Sequence, residues 1–407
     1  MSLLLKESGF LEKLTRIGKK KHFQKKRIVR MLYLLEQLTL SEIIERIDLS
    51  TPTVQNLLDE LAKEGLVEIK GSAVSRGGRR PMLYGLVAHS LFVLAIDIGR
   101  HSTRLAVFDN DNEIVAGIKY VPIKLEKNKK LLDQVIRYAN EIVEESGIDL
   151  SRIVGVGISM PGLVDPKNGI NYTELEVEPS PKMVLENEFN RPVFFINDAQ
   201  AKALAEYRFG KAKGRQNVMV IHLGSGLGTG IILNGKPYFG THGFSGEFSH
   251  IPVSDNGYLC HCGKRGCLET VASGVALARY AVDGLKAGEL SVISSLVDGK
   301  LEDINYKTVI HAAARGDQFA IRGIQKIGLE LGKGLAILVQ ILNPELIILG
   351  GKFSEAGRYL LNPIEQSLQQ YTFPIIRDDV EIVLSGLGDK ANLLGSVIHL
   401  MENVFEQ

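Results

Sequence analysis

The sequence predicts an α/β protein in two parts: a small helical module closed by two strands, then a large body in which strands and helices alternate. Three observations predict it. Residues 1–88 combine helix-spaced apolar side chains with an excess of lysine and arginine; beyond residue 89 the pattern turns to strand, turn and helix; and a strand entering a glycine turn and a hairpin occurs twice in that body. With 407 residues, 45% of them hydrophobic, the chain can build two or three packed cores.

The formal net charge of +1 hides an asymmetry, since residues 1–88 hold 16 Lys/Arg against 10 Asp/Glu and the remainder 32 against 37. A basic front on a mildly acidic body suggests a polyanion touched by one end only, although a solvated basic surface gives the same bias. No run of about 18 apolar residues is free of charge, and the basic N-terminus leads into no clean apolar stretch. No membrane partner is therefore expected, and a cytoplasmic location is the default.

The first element is a helix from His22 to Gln37, with Phe23, Ile28, Met31, Leu32, Leu34 and Leu35 along its apolar side and Lys19, Lys20 and Lys21 ahead of it. A second short helix follows, capped by Ser41, with Ile43, Ile44 and Ile47 as its buried face. The segment from Asp48 to Val67 then reads as a recognition helix. Ser50 or Thr51 caps it, Pro52 suits its first turn, Val54, Leu57, Leu58 and Leu61 face inward, and Gly65 ends it. Its outward residues Thr51, Thr53, Gln55 and Asn56 are short polar groups of the kind that meet base edges and phosphates in a major groove.

Two strands, 66–70 and 82–86, complete the module, and the loop between them carries Arg76, Arg79 and Arg80 among flexible glycines. Such a loop fits a wing that enters a minor groove or clamps phosphates. A small protein-interaction module with an ordinary basic loop would look similar locally, but helix-turn-helix spacing followed by a basic wing favours double-stranded DNA. The module, residues 1–88, resembles MarR-like winged helices.

The body, residues 89–407, opens on the strand 91–99, which enters Asp97-Ile98-Gly99 and continues as a hairpin through 104–109, turning at 110–112 into 113–115. A comparable start recurs at 217–223, leading into the glycine loop 224–230 with Gly224, Gly226 and Gly228, then a hairpin turning at Asn234-Gly235. Two such units imply a duplicated structure of two lobes with a cleft between them. The glycines suit close approach of a phosphate or another ligand, and a plain tight turn would use them too.

All three cysteines, Cys260, Cys262 and Cys267, fall within eight residues. An odd number so close together cannot all pair, which makes the cluster a metal signature rather than a disulfide framework. His261, between two of them, reads as a solvated side chain.

From about Leu91 to Leu400 the body resembles the ROK family of repressors and sugar kinases. The match is carried by Gly162-Leu163-Val164-Asp165, Asn197-Asp198-Ala199, the 224–230 glycine loop, Gly246-Glu247-Phe248-Ser249-His250, the cysteine cluster running into Leu268-Glu269-Thr270, and Ile347-Ile348-Leu349-Gly350-Gly351. The resemblance implies an actin/hexokinase-like (ribonuclease H-like) fold of two lobes. It also implies a structural zinc on His250, Cys260, Cys262 and Cys267, and four protein ligands leave no open position for catalysis.

By the same resemblance Asn197, Asp198, Glu247, His250 and Glu269 hold sugar hydroxyls, Gly162 lies in a wall of that site, and Asp198 stands where the kinases keep their catalytic base. Carboxylates and an amide fixed in place suit hydroxyls, which both donate and accept hydrogen bonds. Kinases of the family read Asp-x-Gly-Gly-Thr at the first phosphate loop, whereas here Arg100 and His101 follow Gly99. Bulky side chains there put phosphoryl transfer in doubt. The chain thus reads as a repressor that binds a sugar or sugar phosphate and, as a homodimer or homotetramer, a DNA operator. The enzymatic alternative is an ATP-Mg²⁺-dependent hexose or N-acetylhexosamine kinase using Asp97, Gly99 and the glycine loop for the nucleotide.

Overall fold

Thr15 opens the first helix by accepting the Gly18 N–H on its hydroxyl at 3.1 Å, and the helix runs Arg16–Leu35 (α1) in a computed structural model that describes residues 14–74, 80–125, 130–175 and 177–405. It begins earlier than the apolar pattern implied, because the lysine-rich turn ahead of His22 is itself helical. Ile28, Val29, Leu32 and Tyr33 are its buried side, while Phe23 and Leu35, expected to face inward, are exposed.

A strand that periodicity did not reveal follows, β1 (Gln37–Thr39), paired with Leu83, Tyr84 and Gly85. Three residues are too few for an alternating signal. Thr39, not Ser41, caps α2 (Leu40–Ile47), in a capping box that it shares with Glu42. Asp48 turns the chain with φ 56°, and Ser50 precedes α3 (Thr51–Lys63), which buries Val54, Leu57, Leu58 and Leu61 as expected. Strands β2 (Val67–Ser72) and β3 (Met82–Leu86) complete a sheet of order β1-β3-β2. Lys25, nearly buried, ties α1 to α3 through Glu60 at 2.9 Å and Glu64 at 2.5 Å, and Lys21 also reaches Glu60. These two carboxylates raise the Lys25 pKa in spite of the downward push of burial.

The chain divides into two compact units, 1–201 with 392–407, and 202–391. Beyond the helical module, the first unit contains β4 (Phe92–Ile98), β5 (Thr103–Asp109), β6 (Lys119–Val121), α4 (Lys130–Ser146), β7 (Ile153–Met160), the short pair β8 (Val164–Asp165) and β9 (Ile170–Asn171), α5 (Pro181–Phe189) and β10 (Val193–Asn197). Helix α6 (Asp198–Phe209) leads into the second unit, with β11 (Val218–Leu223), β12 (Leu227–Leu233), β13 (Lys236–Pro237), α7 (Gly274–Lys286), α8 (Tyr306–Ala314), α9 (Gln318–Leu342), β14 (Leu346–Gly350), α10 (Arg358–Tyr371) and β15 (Glu381–Leu384). Helix α11 (Ala391–Asn403) returns to the first.

The duplication expected from the two strand-glycine-hairpin starts is visible in the topology. The sheets are β10-β7-β4-β5-β6 and β13-β12-β11-β14-β15. Counting strands in chain order within each sheet, both read 3-2-1-4-5, with parallel pairing among strands 1, 4 and 5 and antiparallel pairing of strand 2 with both strand 1 and strand 3. The parallel strands β4, β7 and β14 are buried at every residue, as strands covered on both faces must be. The return strand expected at 113–115 is reduced to one bridge, Phe108 to Ile114, and β6 takes the edge instead.

Helix α11 lies so close to its neighbours that glycines are required. A Cβ on Gly395 would sit 1.9 Å from the Ala201 carbonyl oxygen, and one on Gly157 of β7 would sit 2.4 Å from the Ser396 carbonyl oxygen. The far end of α11 receives the first module: Arg30 Nε donates to the Glu402 carbonyl at 2.8 Å and Lys26 Nζ to the Val404 carbonyl at 3.3 Å. Carbonyls at a helix C-terminus lack intrahelical partners and attract cations, so these two side chains suit the place. Tyr33 adds a third fastening by donating to Asn112 Oδ1 at 2.6 Å. Among the described residues no helix is long and apolar enough to cross a membrane.

Candidate metal centre, ligand residues and DNA-reading helix

The 3₁₀ turn Glu247–His250 and the loop 260–267 bring the ligand atoms of His250, Cys260, Cys262 and Cys267 within 4.8 Å of one another. Cys260 Sγ lies 3.5 Å from His250 Nδ1, and Cys262 Sγ 3.6 Å from Cys267 Sγ. A tetrahedral ion with sulfur at about 2.3 Å and nitrogen at about 2.0–2.1 Å separates its sulfurs by about 3.8 Å and sulfur from nitrogen by about 3.5 Å. The four residues therefore fit a metal ion, and none of the three thiols is in a disulfide.

Electrostatics point the same way. Burial and the neighbouring thiols push Cys267 up to about 12, and burial raises Cys260. Cys262 is held low against burial by the Lys264 N–H and the other two thiols. Burial lowers His250, which keeps its imidazole neutral. Three thiols crowded together resist joint ionisation, and a bound cation removes that resistance.

In the same unit Glu247 Oε2 is 3.7 Å from His250 Nε2, and Glu269 Oε2 accepts the Leu227 N–H at 3.0 Å. The glycine loop is pinned from behind, with the Gly274 N–H donating to the Gly224 carbonyl and the Val275 N–H to that of Ser225. A Cβ on Gly226 would lie 2.7 Å from Glu269 Oε2, whereas Gly228 is already inside β12, paired with His222. His261 is exposed, as expected of a solvated side chain, and yet places Nδ1 3.1 Å from Glu269 Oε1 and packs edge-on against the His250 ring, centroids 5.0 Å apart. Sequence reasoning missed that contact, because nothing in local spacing links residue 261 to 269.

In the first unit Gly162 and Asn197 are joined directly. Asn197 Nδ2 donates to the Gly162 carbonyl at 3.0 Å, and its Oδ1 accepts the N–H groups of Ala199 and Gln200, capping α6 so that Asp198 is the first helical residue. Gly162 needs its missing side chain: φ is 102°, and a Cβ would meet Thr173 at 2.5 Å and Glu174 at 2.7 Å.

Asp97 is buried at the end of β4 with both carboxylate oxygens taken. Oδ2 accepts from Arg104 Nε at 2.9 Å and is also paired with Arg104 Nη2; Oδ1 accepts from Ser159 Oγ and from Asn392 Nδ2, each at 2.7 Å. The Gly99 N–H donates to the Ser102 carbonyl at 3.0 Å, closing the loop on itself, and Arg100 pairs with Glu174 at 2.8 Å.

On α3, Thr51 and Asn56 are exposed and Thr53 and Gln55 half-buried, all in its N-terminal half. Gln55 donates to Asp59 at 2.9 Å, and the Ser50 hydroxyl bonds that of Thr53 rather than a backbone N–H. Arg80 is exposed; Arg76 and Arg79 lie outside the described residues.

Comparison with known proteins covers nearly the whole chain. A model described as ROK family matches residues 93–403, and one described as MarR family matches residues 22–79. The chain is 33% identical over 387 residues to a putative xylose repressor of Caldicellulosiruptor sp. (strain Rt8B.4), covering 91% of this chain and 94% of that one. Its fold is similar to the crystal structure of a ROK family transcriptional regulator, a homolog of the E. coli MLC protein, with TM-score 0.80, 28% identity and 94% and 97% of the two chains covered. A ROK family glucokinase from Streptomyces griseus, in complex with glucose and AMPPNP, matches with TM-score 0.67 and 32% identity, over 75% of this chain and 97% of its own.

Proposed function

The chain belongs to the ROK family, and from that premise we propose that it is a sugar-responsive transcriptional repressor: residues 1–88 hold a double-stranded DNA operator, and residues 89–407 bind a sugar or sugar phosphate that alters the hold. The observation that carries this reading is where the DNA module is fastened. Arg30 and Lys26 grip the end of α11, and the same helix packs at Gly395 against Ala201, three residues beyond Asp198. A sugar that shifts the Asn197-Asp198 segment thereby acts on the helix to which the DNA module is tied.

Thr51, Thr53, Gln55 and Asn56 meet base edges, and Arg80, with Arg76 and Arg79, holds phosphates or enters the minor groove. The sugar hydroxyls are held by Asn197, Asp198, Glu247, His250 and Glu269, with Gly162 in the adjoining wall. Zinc on His250, Cys260, Cys262 and Cys267 stabilises the segment that carries Glu247, His250 and Glu269; with four protein ligands it has no part in chemistry. Binding without turnover is favoured over kinase activity, because Asp97, Gly99 and Arg100 are committed to protein partners where a kinase would address ATP-Mg²⁺. A palindromic operator requires at least a homodimer, and a homotetramer would serve equally.

The test is operator affinity at fixed salt, using DNA selected from a random duplex pool, with and without D-xylose, D-glucose, N-acetyl-D-glucosamine and the 6-phosphates of the two hexoses. A change in affinity with at least one of them is the expected result. No change with any of them overturns the switch, and ADP formation at about 1 s⁻¹ or faster with sugar and ATP-Mg²⁺ favours the kinase.

A further inference from the structure

We propose that His261 is a positioning residue of the sugar site, holding the Glu269 carboxylate in the orientation that reads the sugar; this rests on the sugar-binding reading above. Glu269 sits in the 3₁₀ turn Leu268–Thr270, and its two oxygens face different parts of the second unit. Oε2 is anchored by the Leu227 N–H at 3.0 Å, with Gly226 leaving room for it. One anchor leaves a carboxylate free to rotate about that contact. The second is His261, whose Nδ1 lies 3.1 Å from Oε1.

A carboxylate is acceptor-only, so the imidazole presents an N–H there, and each oxygen keeps a lone pair for a hydroxyl. A carboxylate fixed at both oxygens presents those lone pairs in one direction, which is what distinguishes one hydroxyl stereochemistry from another. His261 is itself fixed on both sides. Its neighbours Cys260 and Cys262 belong to the metal cluster, and its ring packs edge-on, at 75°, against that of His250. His250, His261 and Glu269 also have ligand atoms within 4.8 Å of one another, but His250 Nδ1 already faces Cys260 Sγ. One row of side chains, Glu247, His250, His261 and Glu269, thus joins the metal loop to the proposed sugar contacts.

The test uses the full chain loaded with zinc and the tightest-binding of the five sugars and sugar phosphates named above, measured by calorimetry. His261→Leu, close in volume but without a donor, should weaken binding about tenfold, the loss of one hydrogen bond to a charged group. His261→Asn, whose amide nitrogen occupies nearly the place of Nδ1, should restore affinity to within about threefold of the starting protein. Zinc content should stay at one per chain in both. In a Glu269→Gln background the leucine exchange should have little further effect, since the residue acts through that carboxylate.

Unchanged affinity in His261→Leu, loss of zinc in that variant, or an equal loss in the Glu269→Gln background would each overturn the proposal. If the starting protein binds none of the five, or binds one with an affinity that Glu269→Gln leaves unchanged, the sugar-site reading itself has failed, and this inference fails with it.

Discussion

Replacing Asp97 by Asn separates a structural acid from a nucleotide-binding one. Asp97 is 1% exposed and receives donors on both oxygens: Arg104 on one, Ser159 and Asn392 on the other. An amide offers one acceptor in place of two and turns its NH₂ toward groups that are themselves donors. Breaking a buried ion pair from one side costs about 3–5 kcal/mol, and Arg104 keeps some solvent contact, so the low end, about 3 kcal/mol, applies. For a unit of this size that lowers the Tm by roughly 6–12 °C.

Scanning calorimetry of Asp97→Asn, Arg104→Met and the double variant is the assay. The single exchanges should be more damaging together on paper than in fact, with a coupling of about 1–3 kcal/mol, because the second removes a charge that the first has stranded. A carboxylate whose partners were magnesium and ATP alone would show no such loss in the ligand-free chain. A Tm within about 2 °C of the starting protein, or strict additivity with Arg104→Met, refutes the structural assignment.

Exchanging Arg30 and Lys26 together for Met should leave sugar binding and sugar-free operator binding intact, while the effect of sugar on operator affinity shrinks from about tenfold or more to under about threefold, read by fluorescence anisotropy. Asn56→Ala should cost about 1–3 kcal/mol of discrimination between operator and random DNA, and Arg80→Ala should lower the slope of log affinity against log salt by about one, with no change in sugar binding for either. Chelation, or Cys262→Ser, should release one zinc per chain and lower the transition of the second unit by an amount on the order of several kcal/mol, measured by metal analysis and calorimetry on the same sample. Burial depresses the His399 pKa to about 4, so between pH 6.5 and 4 the unfolded chain takes up a proton that the folded one refuses. Stability from this group is complete above pH 6.5 and falls by about 3 kcal/mol as pH drops to 4; urea titrations of His399→Gln should show a flatter acid limb.

Much of the DNA module was legible because a helix announces itself by the spacing of its apolar side chains. Val54, Leu57, Leu58 and Leu61 lie where a 3.6-residue period puts them. The periodicity failed at Phe23 and Leu35, which fall on the expected stripe and yet are exposed, since the extent of a helix face depends on what packs against it. Strand β1 was invisible because its three residues carry no pattern of their own; pairing with β3 makes it a strand. The cap of α2 moved to Thr39 because that hydroxyl and Glu42 satisfy each other's backbone N–H groups, a reciprocity that Ser41 lacks.

The sequence by itself determined the candidate ligand types, since three cysteines within eight residues suit a metal better than a disulfide framework, and it determined that two strand-glycine-hairpin starts mean two copies of one sheet plan. Only the tertiary structure decided which groups meet. It placed Asn392, 295 residues away, on Asp97, brought the exposed His261 within reach of Glu269, and fastened Arg30 to the last turn of α11. Local patterns record the face each residue must bury, whereas a hydrogen bond between distant segments depends on angles and separations that are fixed only when the strands and helices have packed.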